Sequence, residues 1–279
     1  MFCYAFGYAL AKQRGAELWL DTTMLDRQQV NGRTFELDGY KIEYDKRISY
    51  GFQDTLIARK IGWNRFRKKN AIGWGTRICH EKNNHQYDQS ISKICVDTYF
   101  DGFWQNYRYF ADSRSKLVDM MRPKNPIEEG VRRIQEEIKE KQGVSLHVRR
   151  GDYIGLNWQL SMDYYDKAVE IIKNKLGAET GNPINIYVFS DDMKFAEEYF
   201  GANKDGLVNY HYVEYESNNN VIYDMYLTSC CAHNIIANSS YSWWGAWLNN
   251  NSDKIVVCPL KGVWDNNFYP REWISIPTE

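Results

Sequence analysis

Three short polar clusters in the second half of this 279-residue chain have the residue types of a phosphate and sugar site. The first is HVRRGDY, residues 147–153, which contains His147, Arg149, Arg150 and Asp152. Arginine is permanently charged and planar, and it can donate two parallel hydrogen bonds to a diphosphate. The carboxylate beside two arginines is expected to stay ionised. It could then accept a proton in catalysis, or it could simply hold an arginine in place.

The second cluster, FSDD, ends with Ser190, Asp191 and Asp192. An acidic side chain at the end of a strand can bind ribose hydroxyls or the NH groups of a guanine edge. It can equally cap the N-terminus of a helix, and a helix is expected over 193–200. Carboxylates also bind hard metal ions, but a lone pair of aspartates is a weak metal signal. The interpretation stays open between a nucleoside contact and a helix cap, and no metal site is assigned.

The third cluster is ANSSYSWWGAWL, residues 237–248, in which a predicted strand ends and a predicted helix begins. Backbone NH groups and hydroxyls at a helix N-terminus attract anions, so Ser239, Ser240 and Ser242 are candidate phosphate contacts. The same serines could act only as local caps. The segment also contains Trp243, Trp244 and Trp247. Their helical spacing favours packing of the helix against a sheet over ligand contact.

Strands and helices that alternate along the second half of the chain must position these clusters. Strands are predicted at 144–149, 184–190, 207–213, 234–238 and 254–258. Helices are predicted at 127–142, 193–200, 221–232 and 241–249, with another that is capped by Ser161 and closed by Gly177. This alternation indicates an α/β fold with a parallel sheet. Because ligands of such sheets bind beyond the carboxyl ends of the strands, all three clusters lie where a ligand is expected.

The first half of the chain has a less regular pattern. An amphipathic helix is predicted over 1–14, followed by a short strand, AELWL, that ends at Asp21. Residues 64–95 are rich in Arg, Lys, Asn and His, which favours a loop or an irregular helix. A further helix is expected around 106–121.

A proline pair marks the predicted boundary between two domains. Pro123 and Pro126 lie in the stretch MMRPKNPIE, which separates the irregular first half from the alternating second half. We therefore predict an N-terminal α/β domain over 1–125 and a C-terminal Rossmann-like domain over 126–279.

Composition excludes several classes of function. The formal net charge of -1, from 35 basic and 36 acidic residues, argues against a nucleic-acid partner. Six cysteines without a CxxC pair indicate reduced thiols in a cytosolic protein. The sequence has no apolar run of about 18 residues, so no membrane-spanning helix is expected. Aromatic residues make up 15% of the chain, and such residues suit sugar rings as well as cores and interfaces.

The three clusters together resemble the α-1,2-fucosyltransferases of glycosyltransferase family 11. HVRRGD, FSDD and NSSYSWWGAWL stand in the order and spacing of that family. The opening MFCYAFGYALA is similar to the family's MFQYAFGRALA, and YFDGFWQNYRYF (99–110) is similar to its YxGYWQxxxYF block. The resemblance runs over nearly the whole chain, and HxRRxD followed by SSxSWWGAWL is a highly specific pair.

The resemblance implies a GT-B-like fold of two Rossmann-type domains with parallel sheets, the second of which binds the GDP-sugar. It implies inverting transfer of L-fucose from GDP-β-L-fucose to the 2-hydroxyl of a terminal β-galactoside, with no cofactor and no metal ion. The alternatives are another GDP-sugar transferase, a fucosyltransferase of different linkage, or a glycan-binding protein without catalysis. A purine-nucleotide hydrolase is a further alternative, but no phosphate-binding loop supports it.

Residue roles follow from the family's matched positions. Arg149 would grip the diphosphate, and His147 and Arg150 would support that contact or orient the loop. Asp152 is the candidate general base, or else the ion-pair partner of the arginines. The remaining positions expected to bind the donor are Ser190, Asp191, Asp192, Ser239, Ser240 and Ser242.

The acceptor implied by the resemblance is a galactose-terminated glycan or a lipid-linked oligosaccharide. The enzyme would then decorate surface polysaccharide, such as O-antigen or capsule. It would work in the cytoplasm, and a peripheral contact with the inner membrane is left open. We expect the aromatic-rich first domain to hold the acceptor. Candidate contacts are Tyr99, Trp104 and Trp158.

The start of the sequence departs from the family pattern. Family members begin with a short strand and a GGLGNQ segment before MFQYAF, whereas this sequence begins at Met1 of that block. Loss of a parallel strand exposes sheet edge and apolar surface. We therefore expect the 279-residue form to be poorly soluble or weakly active.

Overall fold

A computed structural model of the chain divides it into two compact units, Met1–Met120 and Met121–Glu279. The structure describes residues 1–26, 34–50, 56, 60, 76–178, 182–202, 206–217, 220–260, 264 and 267–278. Part of the predicted irregular region, 64–75, lies outside the described residues. The boundary between the units falls just before Pro123 and Pro126.

The first unit contains two parallel strand pairs and short helices. Its strands are β1 (Trp19–Asp21) with β2 (Lys46–Ile48), and β3 (Arg77–His80) with β4 (Thr98–Asp101). Its helices are α1 (Phe2–Arg14), α2 (Thr23–Asp26) and α3 (Arg114–Met120), with 3-10 turns at Leu37–Gly39, Gln89–Lys93, Tyr107–Tyr109 and Ala111–Ser113. The predicted helix over 1–14 is confirmed. The expectation of a loop or irregular helix is wrong at β3, which pairs with β4.

Helix α1 supplies part of the core of this unit. Phe6 and Leu10 on one face of α1 pack with Trp104, and the rings of Phe6 and Trp104 stack with centroids 4.3 Å apart. Because only 2% of Trp104 is exposed, this residue is a core residue, and its prediction as an acceptor contact is wrong. Tyr99 donates a hydrogen bond to Asp21, 2.8 Å from hydroxyl to carboxylate oxygen.

The second unit is built on one six-stranded sheet. Its strands are β5 (Val144–Val148), β6 (Ile184–Ser190), β7 (Val208–Tyr212), β8 (His233–Ile235), β9 (Val256–Pro259) and β10 (Ile274–Ile276). The spatial order is β10-β9-β8-β5-β6-β7, and all the pairs described in this sheet are parallel. Its helices are α4 (Glu129–Glu140), α5 (Gly151–Leu156), α6 (Met162–Leu176), α7 (Met193–Phe200), α8 (Asn220–Cys230) and α9 (Ser240–Leu248).

Helices cover both faces of this sheet. On one face, Leu146 and Val148 of β5 pack in a cluster with Ile172 of α6. On the other face, Phe189 of β6 packs in a cluster with Ile138 of α4 and with residues of α8. Burial of both faces explains why β6 and β9 are mainly apolar. The two units are therefore α/β with parallel sheets, which confirms the predicted fold class.

The predicted elements of this unit are confirmed, with ends that shift by a few residues. The strand over 184–190 and the helix over 193–200 agree with β6 and α7 to the residue. The predicted strand 144–149 ends one residue early, so that Arg149 lies just past β5. Two elements were not predicted from the sequence, α5 and β10.

Candidate active site

The order of the strands defines a crevice at the carboxyl edge of the six-stranded sheet. From β5 the chain continues to β6 and β7 on one side, whereas β8, β9 and β10 lie on the other side. The order therefore reverses between β5 and β8, and such switch points are where open α/β sheets bind ligands. HVRRGDY follows β5, NSSYSWWGAWL follows β8 and FSDD follows β6, so the three clusters share this edge.

Ion pairs join the first cluster to the second. Arg149 Nη2 lies 2.6 Å from Asp152 Oδ1, and Arg149 Nη1 lies 2.9 Å from Asp191 Oδ2. The other oxygen of Asp191 accepts a hydrogen bond from the backbone NH of Arg150 at 2.8 Å. Asp191 therefore fixes the exit of β5 through both arginines, while about a third of the Arg149 side chain stays exposed.

Arg150 points to the adjacent helix. Its Nε donates to Asp192 Oδ2 at 3.0 Å, and its guanidinium carbon lies 3.4 Å from the centre of the Phe195 ring. Asp192 also accepts from the backbone NH of Phe195, so it caps α7 as one of the two interpretations predicts. The Ser190 hydroxyl accepts the NH of Asp192 at 3.0 Å. Arg150 thus links the two loops, whereas Arg149 is the more exposed arginine.

Gly151 allows the close approach of the two loops. A Cβ at this position would lie 2.6 Å from Asp191 Oδ2, well inside normal contact distance. A side chain here would displace the carboxylate that holds Arg149. The sequence RRGD therefore needs its glycine to let α5 begin directly beneath Asp191.

His147 connects β5 to α9. Its Nδ1 lies 2.5 Å from the Ser242 hydroxyl, and both side chains are buried. Burial, reinforced by the charge of Arg149, lowers the pKa of His147 to about 4, although Asp191 opposes this shift. The imidazole is therefore neutral near pH 7, and it positions α9 without adding charge.

The three serines at the N-terminus of α9 differ in their contacts and burial. Ser239 is the cap and accepts the NH of Tyr241 at 3.2 Å. Ser242 binds His147, and Ser240 is the one of the three that is not buried. Within α9, which is described over its full length, the first turn carries no acidic residue. The positive end of this helix dipole therefore faces the crevice without a neutralising carboxylate of its own.

The tryptophans of this segment are structural. Trp243, Trp244 and Trp247 are all buried, and the rings of Trp243 and Trp247 are stacked with centroids 5.8 Å apart. The indole NH of Trp243 donates to the backbone carbonyl of Phe268 at 3.0 Å. This confirms the prediction that these rings pack the helix into the fold.

The described part of the chain holds no group of three or more His, Cys, Asp or Glu side chains arranged for a metal ion. In the same residues, no helix has the length and apolar character needed to cross a membrane. Arg149 and Arg150 place positively charged side chains at this edge of the sheet, each paired with carboxylates, and the N-terminus of α9 adds the positive end of its dipole.

Several residues of this site had no clear signal in the sequence. Tyr153 lies under the guanidinium of Arg149, whose carbon is 5.4 Å from the ring centre. Asn238 donates to the backbone carbonyl of Trp158 at 3.3 Å. Helical spacing could not have indicated the first contact, because Arg149 precedes Arg150, the N-cap of α5.

A Rossmann-type sheet with two arginines and a helix N-terminus at its switch point is an arrangement that can bind an anionic ligand. The family described as Glycosyl transferase family 11 matches residues 78–276, and the chain belongs to this family. It is therefore a glycosyltransferase.

The relatives agree with this class. The chain is 30% identical to an alpha-1,2-colitosyltransferase of Escherichia coli, over 99% of this chain and 94% of that protein. It is 35% identical to the O-antigen biosynthesis glycosyltransferase WbnK of Escherichia coli, over 96% and 92%. It is 24% identical to a putative galactoside 2-alpha-L-fucosyltransferase, svh-11, of Caenorhabditis elegans, over 70% and 54%.

Two solved structures are similar to the chain at low identity. One is the E. coli ADP-heptose LPS heptosyltransferase II, with a TM-score of 0.45 and 9% identity over 99% of this chain and 86% of that one. The other is a mutant of Arabidopsis thaliana FUT1 in complex with GDP, with a TM-score of 0.46 and 14% identity over 91% and 66%.

Proposed function

We propose that the protein transfers L-fucose from GDP-β-L-fucose to the 2-hydroxyl of a terminal β-galactoside, with inversion and without a metal ion. The acceptor would be part of a surface polysaccharide such as O-antigen. The observation that carries the proposal is the network of Arg149, Asp191 and Arg150 at the switch point. Residues 126–279 would bind the donor, and residues 1–125 would contribute to the acceptor site.

The donor's diphosphate would bind between Arg149 and the N-terminus of α9. A guanidinium has five NH donors, and the two ion pairs of Arg149 leave others for phosphate oxygens. The NH groups and the Ser240 hydroxyl at the start of α9 offer further donors. The guanosine would lie toward Asp191 and Asp192, on the β6 side.

Positive charge at this position would promote departure of the nucleotide. When the bond between C1 of fucose and the β-phosphate oxygen breaks, negative charge develops on GDP and positive charge on the sugar ring. Arg149 is fixed before the reaction by Asp152 and Asp191, so little reorganisation is needed to stabilise the leaving group. This arrangement can replace the metal ion that other nucleotide-sugar transferases use.

The acceptor hydroxyl must lose a proton as it attacks the opposite face of C1. Asp152 is our candidate for the base because it is about half exposed and uses one carboxylate oxygen for Arg149. Its second oxygen can then accept the proton. The ion pair would hold Asp152 in position during the attack.

A second candidate donor carries colitose instead of fucose. The 30% identity to an alpha-1,2-colitosyltransferase over 99% of the chain favours this alternative. The arginine network would act identically on either donor, because it faces the diphosphate rather than the sugar. The two candidates therefore differ only at the sugar pocket.

GDP release from GDP-L-fucose, with and without lactose and in the presence of EDTA, tests the proposal. We expect release that lactose stimulates, a product with an α-1,2 linkage by NMR, and loss of both in Arg149→Ala. Arg132→Ala is a matched control, because Arg132 lies on the surface of α4, where it forms ion pairs with Glu129 and Glu136. Faster turnover of GDP-colitose would favour the second donor. Equal release by wild type and Arg149→Ala would contradict the proposal.

A further inference from the structure

An aromatic pair extends from the arginine cluster along α5. Tyr153 and Trp158 meet edge to face, with ring centroids 5.8 Å apart and an interplanar angle of 88°. Tyr153 in turn lies under Arg149. The three side chains thus form a continuous row that begins at the group we assign to the diphosphate.

The end of α5 fixes the backbone of Trp158 firmly. Asn157 adopts a left-handed conformation with φ 54°, which asparagine tolerates well. This turn lets the NH of Trp158 donate to the carbonyl of Tyr153 at 2.9 Å. The carbonyl of Trp158 accepts from Asn238, the residue before the cap of α9. Trp158 is therefore tied to both sides of the switch point.

Trp158 is nevertheless exposed. The exposed fraction of the residue is 43%, although tryptophan is on average highly buried in folded proteins. No residue of α5, a helix described over its full length, is buried. A rigid backbone that presents a large apolar ring to solvent beside a charged crevice is the arrangement expected of a ligand contact.

We propose that Trp158, held edge to face by Tyr153, is a platform for the apolar face of a pyranose ring adjacent to the diphosphate. The inference rests on the proposed function and names the residues that hold its sugar. Aromatic ring faces carry partial negative charge, and the C–H groups on one face of a pyranose carry partial positive charge, so the two attract while water is displaced. The sugar could come from the donor or from the acceptor.

The position of the row favours a sugar over a lipid surface. Ile154 and Leu156 on the same helix are also exposed, at 48% and 52%, and would suit a general apolar contact. Both side chains are aliphatic, whereas the ring of Tyr153 lies under Arg149. A membrane or lipid contact would depend on Leu156 as much as on Trp158, and this difference can be measured.

The experiment compares Trp158→Ala, Trp158→Phe and the control Leu156→Ala. For each we would measure the KM for lactose at saturating donor, and the Kd of GDP-L-fucose and of GDP by calorimetry. We expect Trp158→Ala to raise either the lactose KM or the GDP-L-fucose Kd about five- to tenfold, with the Kd of GDP unchanged. A change in KM identifies the acceptor sugar, and a change in Kd identifies the donor sugar. Trp158→Phe should recover most of the loss.

Three results would overturn the platform. The first is a folded Trp158→Ala variant whose lactose KM and GDP-L-fucose Kd are unchanged. The second is a Trp158→Ala variant that loses affinity for GDP as much as for GDP-L-fucose. The third is a Leu156→Ala variant with the same effect as Trp158→Ala. The failure of the proposed function looks different. The wild-type protein could transfer no fucose and still bind GDP-L-fucose more tightly than GDP. If Trp158→Ala removed that difference in Kd, the proposed transfer would be refuted and the platform supported. A wild-type protein that transfers fucose, with Trp158→Ala unchanged, would refute the platform alone.

Discussion

The two sides of the switch point use opposite kinds of chemistry. After β5 and β6, the loops hold Arg149, Asp152 and Asp191 in partly exposed ion pairs. After β8, the start of α9 carries no charged side chain, and its buried Ser242 is bound to the neutral His147 of β5. The charged side can interact with the donor, whereas the neutral side keeps α9 at a fixed position. Electrostatic stabilisation requires both the charges and a rigid frame that places them.

The largest expected effect comes from the charged side. Asp152→Asn removes the proposed base but keeps a side chain of the same shape beside Arg149. We expect kcat to fall about 10²- to 10⁴-fold, because this is the usual contribution of a general base. The Kd of GDP should change little. Steady-state kinetics at saturating donor and acceptor measure the effect, and a normal kcat would leave Asp152 only the role of ion-pair partner.

Protonation of His147, on the neutral side of the switch point, is expected to make the stability of the protein depend on pH. The pKa of His147 is about 4 in the folded protein, against an ordinary value of 6.5. Below pH 6.5 the unfolded chain binds a proton that the folded protein does not, so stability falls until about pH 4. The loss for this buried group is about 3 kcal/mol. Denaturant unfolding at several pH values should show a smaller pH dependence for His147→Gln than for wild type.

A matched control sharpens that measurement. His80→Gln replaces an exposed histidine of the first unit and is the control for loss of an imidazole as such. If His147→Gln shows the same loss of stability as wild type between pH 6.5 and 4, the buried neutral imidazole is not its source.

The smallest effect separates two neighbouring serines of α9. Ser239 caps the helix, whereas Ser240 is at its first position and is not buried. Ser239→Ala should lower the free energy of unfolding by about 1 kcal/mol, as loss of a cap does. Ser240→Ala should stay within about 0.5 kcal/mol. Equal losses in chemical denaturation would show that the cap assigned to Ser239 does not stabilise α9.

Much of the second unit could be predicted because local and tertiary signals agree there. β6 is a mainly apolar run, and Asp192 supplies the cap that begins α7. The helix α5 gave no periodic signal, since none of its residues is buried. The strand β10 has three residues and depends on its pairing with β9. The segment Arg77–His80 likewise becomes a strand through its partner β4.

The location of the candidate site could be predicted from its residue types, but the contacts between its side chains could not. The rule that ligands bind beyond strand ends identifies the three clusters, because they follow β5, β6 and β8. Sequence alone could not decide which aspartate binds an arginine and which caps a helix. In the structure, Asp191 binds the side chain of Arg149 and the backbone NH of Arg150. Asp192 is the cap and also binds Arg150.

Calorimetric titration of GDP in EDTA tests the central claim most directly, since it isolates the contact between the arginine cluster and a diphosphate. Wild type and Arg132→Ala should bind GDP with the same Kd. Arg149→Ala should bind about 10- to 100-fold more weakly, because charge-assisted hydrogen bonds to the phosphates are lost. If Arg149→Ala binds GDP as tightly as wild type, the cluster after β5 is not the diphosphate site.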